Sequence, residues 1–526
     1  MIMNLLKSGI LGSRRSFKFS ILTTAPNETF TLPLLAGTHN FSVNWGDGSA
    51  ENIVIAFNDV NRIHTYTAAG TYIISMNGTC TKFAFNDGGD KLKIKQLLDF
   101  VDMGFTTLNF YGCSNLTFIA SSMKKLESLT TAVNMFRSCT SLTSIPAGIF
   151  NGCIGITTFN STFLGCISLT GVIPNNLFDY NIKVTNFGNT FLGCVGLIGS
   201  IPIDLFKYNT LATNFTSIFQ GCSGLIGVIP TDLFRYNIKV TNFSSAFNGC
   251  VGLTFIPNNL FDYNILATNC SSIFYNCTGL IGVIPTDLFK YNILATNFSS
   301  IFRGCSGLIG VIPTDLFRYN ILATSMDNIF KGCSGLTGSI PVDLFRYNIL
   351  ATSFNSAFNG CTNIASIPTD LFRYNIKVTN FGGTFMSCTS LISIPVDLFR
   401  YNTAVTTFES VFYLCSGITA IPADIFKYNV AVTNCQGIFA SCIGLTGVLD
   451  GDIFLYNTKV TTFAWTFQYC AGLTGSGWGS GVIPETVPDT IIYNAEHQPT
   501  PPAITTSCFD GCTSLTDYSL IPVGWK

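Results

Sequence analysis

Charge is scarce in this chain. Only 10% of its 526 residues are Asp, Glu, Lys or Arg, against 47% apolar residues, and the two signs nearly cancel at a net charge of -1. Such a surface has no field with which to gather nucleic acid or an anionic membrane, and neither partner is expected. Long apolar runs are lacking as well. No stretch approaches the roughly eighteen uninterrupted apolar residues of a spanning helix, so membrane insertion is not expected despite a mean hydropathy of +0.42. Histidine is nearly missing: His39, His64 and His497 are the whole supply, none beside a nucleophile pattern. There is no phosphate-binding Gly loop, no metal-ligand spacing and no pair of carboxylates outside the repeating columns. Catalysis needs such a constellation, so the expectation is a protein that is not an enzyme and carries no cofactor. Met1 to Arg15 has the wrong length and order for a secretory signal, and nothing at the C-terminus resembles a lipid anchor or sorting motif.

What the chain has in abundance is repetition. Phe-x-x-Cys-x-x-Leu recurs every 27 or 28 residues from Phe136-Cys139 to Phe467-Cys470, with outlying copies at Phe110-Cys113 and Phe509-Cys512. A fixed period of this length means one supersecondary unit stacked on its copies, a solenoid that adds core coil by coil. Within the copy from Thr296 to Asn320, the i, i+3, i+4, i+7 spacing of Phe298, Ile301, Phe302 and Cys305 predicts a two-turn helix with one buried face, followed by Gly307 as a left-handed C-cap. Leu308 to Ile312 predicts a short strand ended by Pro313. Thr314 or Asp315 can cap a second helical turn, Asp315 to Tyr319, closed by Asn320, a residue that tolerates positive φ. The 28-residue intervals carry an extra Gly after the apolar pair, at Gly171, Gly199, Gly227, Gly282, Gly310, Gly338 and Gly447, as a Gly bulge in a strand edge would require.

The Phe-x-x-Cys-x-x-Leu/Ile core, the Ile-Pro strand end and the Leu-Phe pair resemble the leucine-rich repeats of BspA-like bacterial surface proteins and the related short repeats of mycoplasma lipoproteins. The resemblance covers roughly residues 105–526 and implies a scaffold rather than a site. These coils are longer and more uniform than the family's common repeat, which suggests recent duplication.

Twenty Cys in a small secreted protein would suggest disulfides. Here thirteen occupy one column, and Cys270 and Cys435 stand where other coils have Phe and one has Met326, which marks them as small buried hydrophobes. Reduced, buried thiols are expected; Cys508 and Cys512, four apart, can form a bridge or a metal pair, though no second cluster supports zinc.

Residues 17–88 have another texture, alternating and free of Phe-x-x-Cys. Val43-Asn44-Trp45-Gly46-Asp47-Gly48-Ser49, followed by His64-Thr65-Tyr66 and Gly70-Thr71-Tyr72, resembles the polycystic-kidney-disease (PKD) type domain, an immunoglobulin-like sandwich that spaces or presents its neighbours. Gly46-Asp47-Gly48 reads as a tight turn, with Trp45 and Tyr72 as core residues. Asp47 is the weak metal candidate in a chain for which no metal is otherwise expected; a turn Asp more often bonds its own backbone, and His64 more often satisfies a strand end than titrates.

After each Ile-Pro comes Asp, Leu, Phe, a charged residue, Tyr and Asn, giving Asp232 with Arg235, Asp287 with Lys290, Asp315 with Arg318, Asp343 with Arg346, Asp370 with Arg373, Asp397 with Arg400 and Asp424 with Lys427. Two coils exchange both members, to Asn176 with Asp179 and Asn259 with Asp262. The i, i+3 spacing sets each pair on one face of a turn. Two readings are open. One is a mutually neutralised edge that keeps coils in register. The other is a ladder for a repetitive ligand such as a glycan, made of Arg235 and Tyr236, Lys290 and Tyr291, Arg318 and Tyr319, Arg346 and Tyr347, Arg373 and Tyr374, and Arg400 and Tyr401. Burial of those rings against the next coil would exclude the second.

The expected architecture is an attachment segment (1–16), an all-β PKD-like sandwich (17–88), a junction and N-cap (89–130), a leucine-rich-type solenoid (131–474) of about fourteen coils with short strands and short helices, and an insertion with a capping repeat (475–526). Surface-type modules with no visible export route suggest a virion-associated protein of a bacteriophage, in the tail, a fibre or a capsid decoration. A bacterial surface adhesin of the BspA-like family is the alternative, and an enzyme with a site between sandwich and solenoid a second one. Expected partners are other virion or surface proteins, met through residues 1–16 and the sandwich within a homo-oligomeric or larger assembly, and a host glycan or surface protein on the solenoid.

Overall fold

The computed structural model describes residues 16–120, 123, 126–450, 453–475, 505–516, 518–521 and 523–526. The expected attachment segment up to residue 15, the body of the insertion and His497 lie outside the described residues. The chain divides into two compact units, Met1–Ile226 with Asp232–Lys239, and Gly227–Thr231 with Val240–Lys526.

The first unit opens with ten strands: β1 (Phe17–Thr23), β2 (Glu28–Thr31), β3 (His39–Asn44), β4 (Asn52–Val54), β5 (Ile63–Tyr66), β6 (Gly70–Cys80), β7 (Lys82–Ala84), β8 (Ile94–Asp99), β9 (Thr107–Asn109) and β10 (Phe118–Ile119). Six form one sheet in the order β10-β8-β1-β6-β3-β4, while β2 pairs with β5 and β7 with β9. Phe17, Phe19 and Ile21 alternate onto the buried side of β1, where Phe19 meets Phe30 of β2 at 6.0 Å and Phe17 meets Phe83 of β7 edge-on at 5.5 Å. Gly78 in β6 has a φ of +132°, and a Cβ there would stand 2.4 Å from the Asn40 carbonyl oxygen, so only glycine fits this crossing.

The segment read as junction and cap takes part in this sheet. β8 pairs with β1 antiparallel and β10 joins β8 in parallel, because Ile94 and Leu97 bury against the sheet. β7 and β9 are parallel and 25 residues apart in register, and the Phe110 amide donates to the Met135 carbonyl at 2.7 Å. The chain thus passes from antiparallel strands into parallel coils without losing its hydrogen bonding. Rings of Phe83, Phe110, Phe136 and Phe163 follow one another at 5.9, 5.9 and 5.6 Å.

A coil is made of consecutive turns, and this corrects the predicted helices. In the second unit Ser300 and Gly304 are left-handed, with φ of 58° and 77°, which breaks any helix between Phe298 and Cys305. The amides of Ile301, Arg303 and Cys305 bond within the coil to Phe298, Ser300 and Phe302 at 3.0–3.3 Å. Those of Phe298, Ser300, Phe302 and Gly304 donate to Ser325, Asp327, Ile329 and Lys331 of the next coil at 2.6–3.1 Å. An α-helix from Phe298 to Cys305 would bond the amides of Phe302 and Gly304 internally and take them from the next coil. The segment Asp315–Tyr319 is likewise a turn, and no α-helix occurs among the described residues. The predicted inward face survives the change: Phe298, Ile301, Phe302 and Cys305 are fully buried.

Gly307 is not left-handed. A Cβ there would lie 2.5 Å from the Thr278 carbonyl oxygen and 2.6 Å from that of Leu280, so the glycine serves close approach to the coil before it. The predicted strand from Leu308 shrinks to a single bridge, Gly310 with Leu336. Short ladders form where a Gly-bearing coil meets one without the insertion: β11 (Gly227–Val228) with β12 (Leu253–Phe255), and β13 (Gly338–Ser339) with β14 (Ile364–Ser366). Each shows a register shift just after the glycine, but the unpaired residue is Thr254 or Ala365 of the coil without the insertion, so the extra residue of the bulge is not the glycine that the sequence predicts. A second column of parallel bridges, Asn297 to Ser325 to Ser353 to Asn380 to Thr407, was not expected from the sequence.

The interior of the stack is aromatic and sulfur-bearing. Rings of Phe302, Phe330, Phe358, Phe385 and Phe412 stack at 5.8, 5.6, 5.6 and 5.6 Å, each burial stabilising by about 1.5–3 kcal/mol. All twenty Cys are buried and unbridged. In the Cys column the thiol donates to the Phe carbonyl of the coil before, as from Cys305 to Phe274 at 2.8 Å and from Cys166 to Phe136 at 2.9 Å. A buried Asn column, missed in the sequence, runs beside it. Asn320, read as a turn-closing residue, keeps a negative φ and is fully buried, its amide donating to the carbonyls of Phe289 at 3.1 Å and Asn292 at 2.9 Å.

Candidate functional site

Proline ends each apolar pair and starts a turn whose Asp and basic residue lie on one face. The seven pairs expected from the spacing all form, with N–O distances of 3.3 Å for Asp232–Arg235, 3.5 Å for Asp287–Lys290, 3.2 Å for Asp315–Arg318, 3.1 Å for Asp343–Arg346, 3.4 Å for Asp370–Arg373, 3.5 Å for Asp397–Arg400 and 3.3 Å for Asp424–Lys427. Asp204–Lys207, at 3.6 Å, is an eighth that the same spacing could have found. Half-exposed pairs of this kind each contribute under about 1 kcal/mol.

The basic groups do more than pair. Each Arg that pairs with an Asp in the second unit stands over the Tyr that follows it and over the Tyr of the next coil: Arg318 lies 5.8 Å from Tyr319 and 5.6 Å from Tyr347, Arg346 5.8 Å from Tyr347 and 5.3 Å from Tyr374, Arg373 5.8 Å from Tyr374 and 5.2 Å from Tyr401. Arg400 continues the column to Tyr401 and Tyr428 at 5.9 and 5.2 Å, and Lys427 stands 5.8 Å from Tyr456; Tyr428 and Tyr456 extend the candidate site beyond the residues first singled out. Lys290 lies over Tyr291 at 5.6 Å in the same unit, whereas Arg235 over Tyr236, at 5.9 Å, belongs to the first.

The rings are half-buried rather than sealed: Tyr319, Tyr374 and Tyr401 keep 40%, 40% and 39% of their surface. A guanidinium held by a carboxylate and two phenol rings is fixed in orientation, and its stacking supplies about 0.5–1 kcal/mol per ring at such exposure. Where the charges exchange, Asp179 and Asp262 face an acid in the next coil. Burial, then the like charges of Asp204 and Asp287, raise their pKa values, opposed by Lys207 and Lys290. The result is a repeating aromatic edge with charge neutralised within each coil that carries an Asp–Arg or Asp–Lys pair.

Elsewhere the candidate groups are occupied. Asp47 Oδ1 accepts from the Ser49 amide at 3.0 Å and hydroxyl at 2.6 Å, and Oδ2 lies 2.7 Å from His64 Nε2. Burial works to raise the Asp47 pKa, but the hydrogen bonds from Ser49 and His64 outweigh it and hold the carboxyl at about 2. His64 in turn stacks on Trp45 at 4.9 Å. Both oxygens of the metal candidate are therefore engaged, and no cluster of three or more His, Cys, Asp or Glu suited to a metal occurs among the described residues. Cys508 and Cys512 are buried and unbridged, and Cys512 donates to the Phe467 carbonyl at 2.9 Å as another member of the column.

No protein-family model and no curated protein matches the sequence. Similar solved structures include a leucine rich cell surface protein from Faecalibacterium prausnitzii, 17% identical with a TM-score of 0.26, over 63% of this chain and 94% of that one. Toll in the Drosophila Toll–Spatzle complex is 14% identical with a TM-score of 0.29, over 70% of this chain and 48% of that one, so the chain spans about half of Toll's length. The leucine-rich-repeat ectodomain of the Arabidopsis receptor kinase HAESA, bound to a peptide hormone, is 11% identical with a TM-score of 0.18, over 72% and 75% of the two chains. At such values neither family membership nor function follows. The description of the coils rests on their own hydrogen bonding.

Proposed function

We propose that the chain is a non-enzymatic binding protein of an exterior surface, which holds a repetitive ligand such as a glycan along the Arg–Tyr edge of its coils. The observation that supports this reading is the alternation of partly exposed Tyr rings with guanidinium groups fixed between them from Tyr319 to Tyr428. Planar rings beside oriented donors suit sugar faces, and equal spacing lets weak contacts add through avidity. The N-terminal strands, with their PKD-like signature, would space the coils from a larger body.

The finer form of the proposal is a bacteriophage component of tail, fibre or capsid decoration. Mass spectrometry of purified particles against host envelope fractions tests it, and a chain found only in the envelope would make it a bacterial surface adhesin instead. Binding is tested on a glycan array with the full chain and its Tyr319→Ala/Tyr347→Ala/Tyr374→Ala form. Retention on polymeric glycans is expected to fall at least tenfold, and equal retention would remove the ladder reading.

A further inference from the structure

The coils of the second unit are close copies along the Asp–Arg–Tyr edge, yet they differ sharply on another strip. After Phe354 the chain reads Asn-Ser-Ala-Phe-Asn-Gly-Cys, after Phe381 Gly-Gly-Thr-Phe-Met-Ser-Cys, after Phe408 Glu-Ser-Val-Phe-Tyr-Leu-Cys, and after Phe463 Ala-Trp-Thr-Phe-Gln-Tyr-Cys. Buried members of this heptapeptide stay apolar or small while its outward members vary. Two clefts of about 270 and 510 Å³ open on this strip and share Met386, Glu409 and Ser410. The larger volume falls in the range of roughly 300–1,000 Å³ typical of small-molecule sites.

The strip also places bulky residues at left-handed positions whose coil-to-coil bonds glycine or serine makes equally well. Its left-handed positions hold Ser, Asn or Gly in most coils, as at Ser356, Gly360, Gly383 and Gly437, but Leu414, Trp465 and Tyr469 occupy them with φ of 61°, 59° and 60°. Bulky side chains resist this conformation. These three remain 39%, 44% and 52% exposed, so their apolar surface gains little from the fold. A copied coil that exchanges glycine for an exposed ring gives up stability at a place where a ring is useful to something outside the chain.

We propose that the cleft between Met386 and Gln468 is a binding site for a short neutral oligosaccharide, separate from the Arg–Tyr edge. Trp465 supplies a flat apolar platform for a sugar face and Gln436 an amide donor and acceptor, while Gln468, whose Nε2 already donates to Asp510 at 3.2 Å, adds its second amide hydrogen and its carbonyl, and Glu409, whose Oε2 accepts from Asn434 at 3.1 Å, accepts from hydroxyls with its remaining lone pairs. The larger cleft contains no basic side chain, which disfavours an acidic polymer, and Glu409, Ser410, Gln436 and Gln468 in its lining disfavour an apolar peptide anchor.

The test uses the full chain on an array of neutral and acidic tri- and tetrasaccharides with unrelated peptides alongside, comparing Trp465→Gly with the parent. Glycine suits the left-handed backbone, so the melting temperature is expected to hold or rise while retention of the bound neutral oligosaccharide falls at least tenfold. Tyr347→Ala, on the other edge, is expected to leave that retention within twofold. No neutral oligosaccharide retained, retention only of acidic sugars or peptides, or retention unaffected by Trp465→Gly in a folded protein would each overturn the proposal. None of these outcomes bears on polymer binding at the Arg–Tyr edge.

Discussion

Cys333 donates its thiol hydrogen to the Phe302 carbonyl at 3.0 Å, the same oxygen that accepts the Cys305 amide at 3.0 Å. One carbonyl therefore closes a turn in its own coil and ties down the next, and the thiol must stay protonated to take part. Burial raises the pKa of Cys333 well above 9.0 and that of Cys361 to about 12.

Alkaline unfolding follows from this. Below pH 9 the thiols are protonated in folded and unfolded chains alike, so their contribution is complete. Above it the unfolded chain sheds protons that the folded chain keeps, and each thiol lowers stability by up to about 1.4 kcal/mol per pH unit until it titrates in place. A steep loss of stability between pH 9 and 12 is expected in reducing buffer, with near-UV circular dichroism as the readout. A flat profile over that window would mean the thiols are not sealed. At neutral pH the folded chain should resist thiol-specific reagents that label all twenty Cys in guanidinium.

The Asn column gives a second expectation. Asn348 is fully buried and donates to the carbonyls of Phe317 at 3.1 Å and Asn320 at 2.9 Å. Asn348→Ala removes both bonds but leaves each carbonyl its backbone donor, the Asn320 amide at 3.2 Å and the Ala323 amide at 3.1 Å, so the cost in guanidinium unfolding is about 1–2 kcal/mol. Asn348→Asp should cost more, because it also buries a charge. An exposed turn residue would tolerate either change within about 0.5 kcal/mol.

Much of this architecture can be read from residue types, and the unreadable part has a common cause. The period, the inward Phe and Cys columns and the Asp315–Arg318 pairing follow from spacing along one coil. Whether Phe298 to Cys305 is helical does not, because the spacing of its apolar residues is the same in both cases. The outcome is decided by where the amides of Ser300 and Gly304 find acceptors, and those lie 27 residues away in Asp327 and Lys331. Arg346 meeting Tyr374 has the same origin, since no local pattern sets coil on coil. The recurrence of Asn320 with Asn292 and Asn348 is legible, but its burial is not, because Tyr319 and Tyr374 recur as strictly and stay 40% exposed.

Acid should act on the N-terminal strands through Asp47. Its folded pKa of about 2 lies below the ordinary 3.8, so the carboxylate contributes stability fully above pH 4, and that contribution is lost as pH falls through 2. Asp47→Asn is expected to flatten the stability profile between pH 4 and 2, while its effect at pH 7 appears as a lower melting temperature. An identical acid profile in the variant would show that the bonds from Ser49 and His64 do not matter to folding.

The Arg–Tyr edge can be separated into its structural and binding parts by one position. Arg346 bonds Asp343 at 3.1 Å and touches two rings, so Arg346→Ala loses one half-exposed ion pair and two cation–π contacts. Together these are worth about 1–2 kcal/mol. Arg346→Lys keeps the charge but not the planar fork, and a lysine recovers the ion pair better than the stacking. If the edge only holds coils in register, Arg346→Lys restores most of the stability and polymer binding is absent in all forms. If the edge is also a binding surface, retention on a glycan array falls in Arg346→Lys out of proportion to its small loss of stability, because a flexible ammonium no longer presents its donors at a fixed angle between Tyr347 and Tyr374.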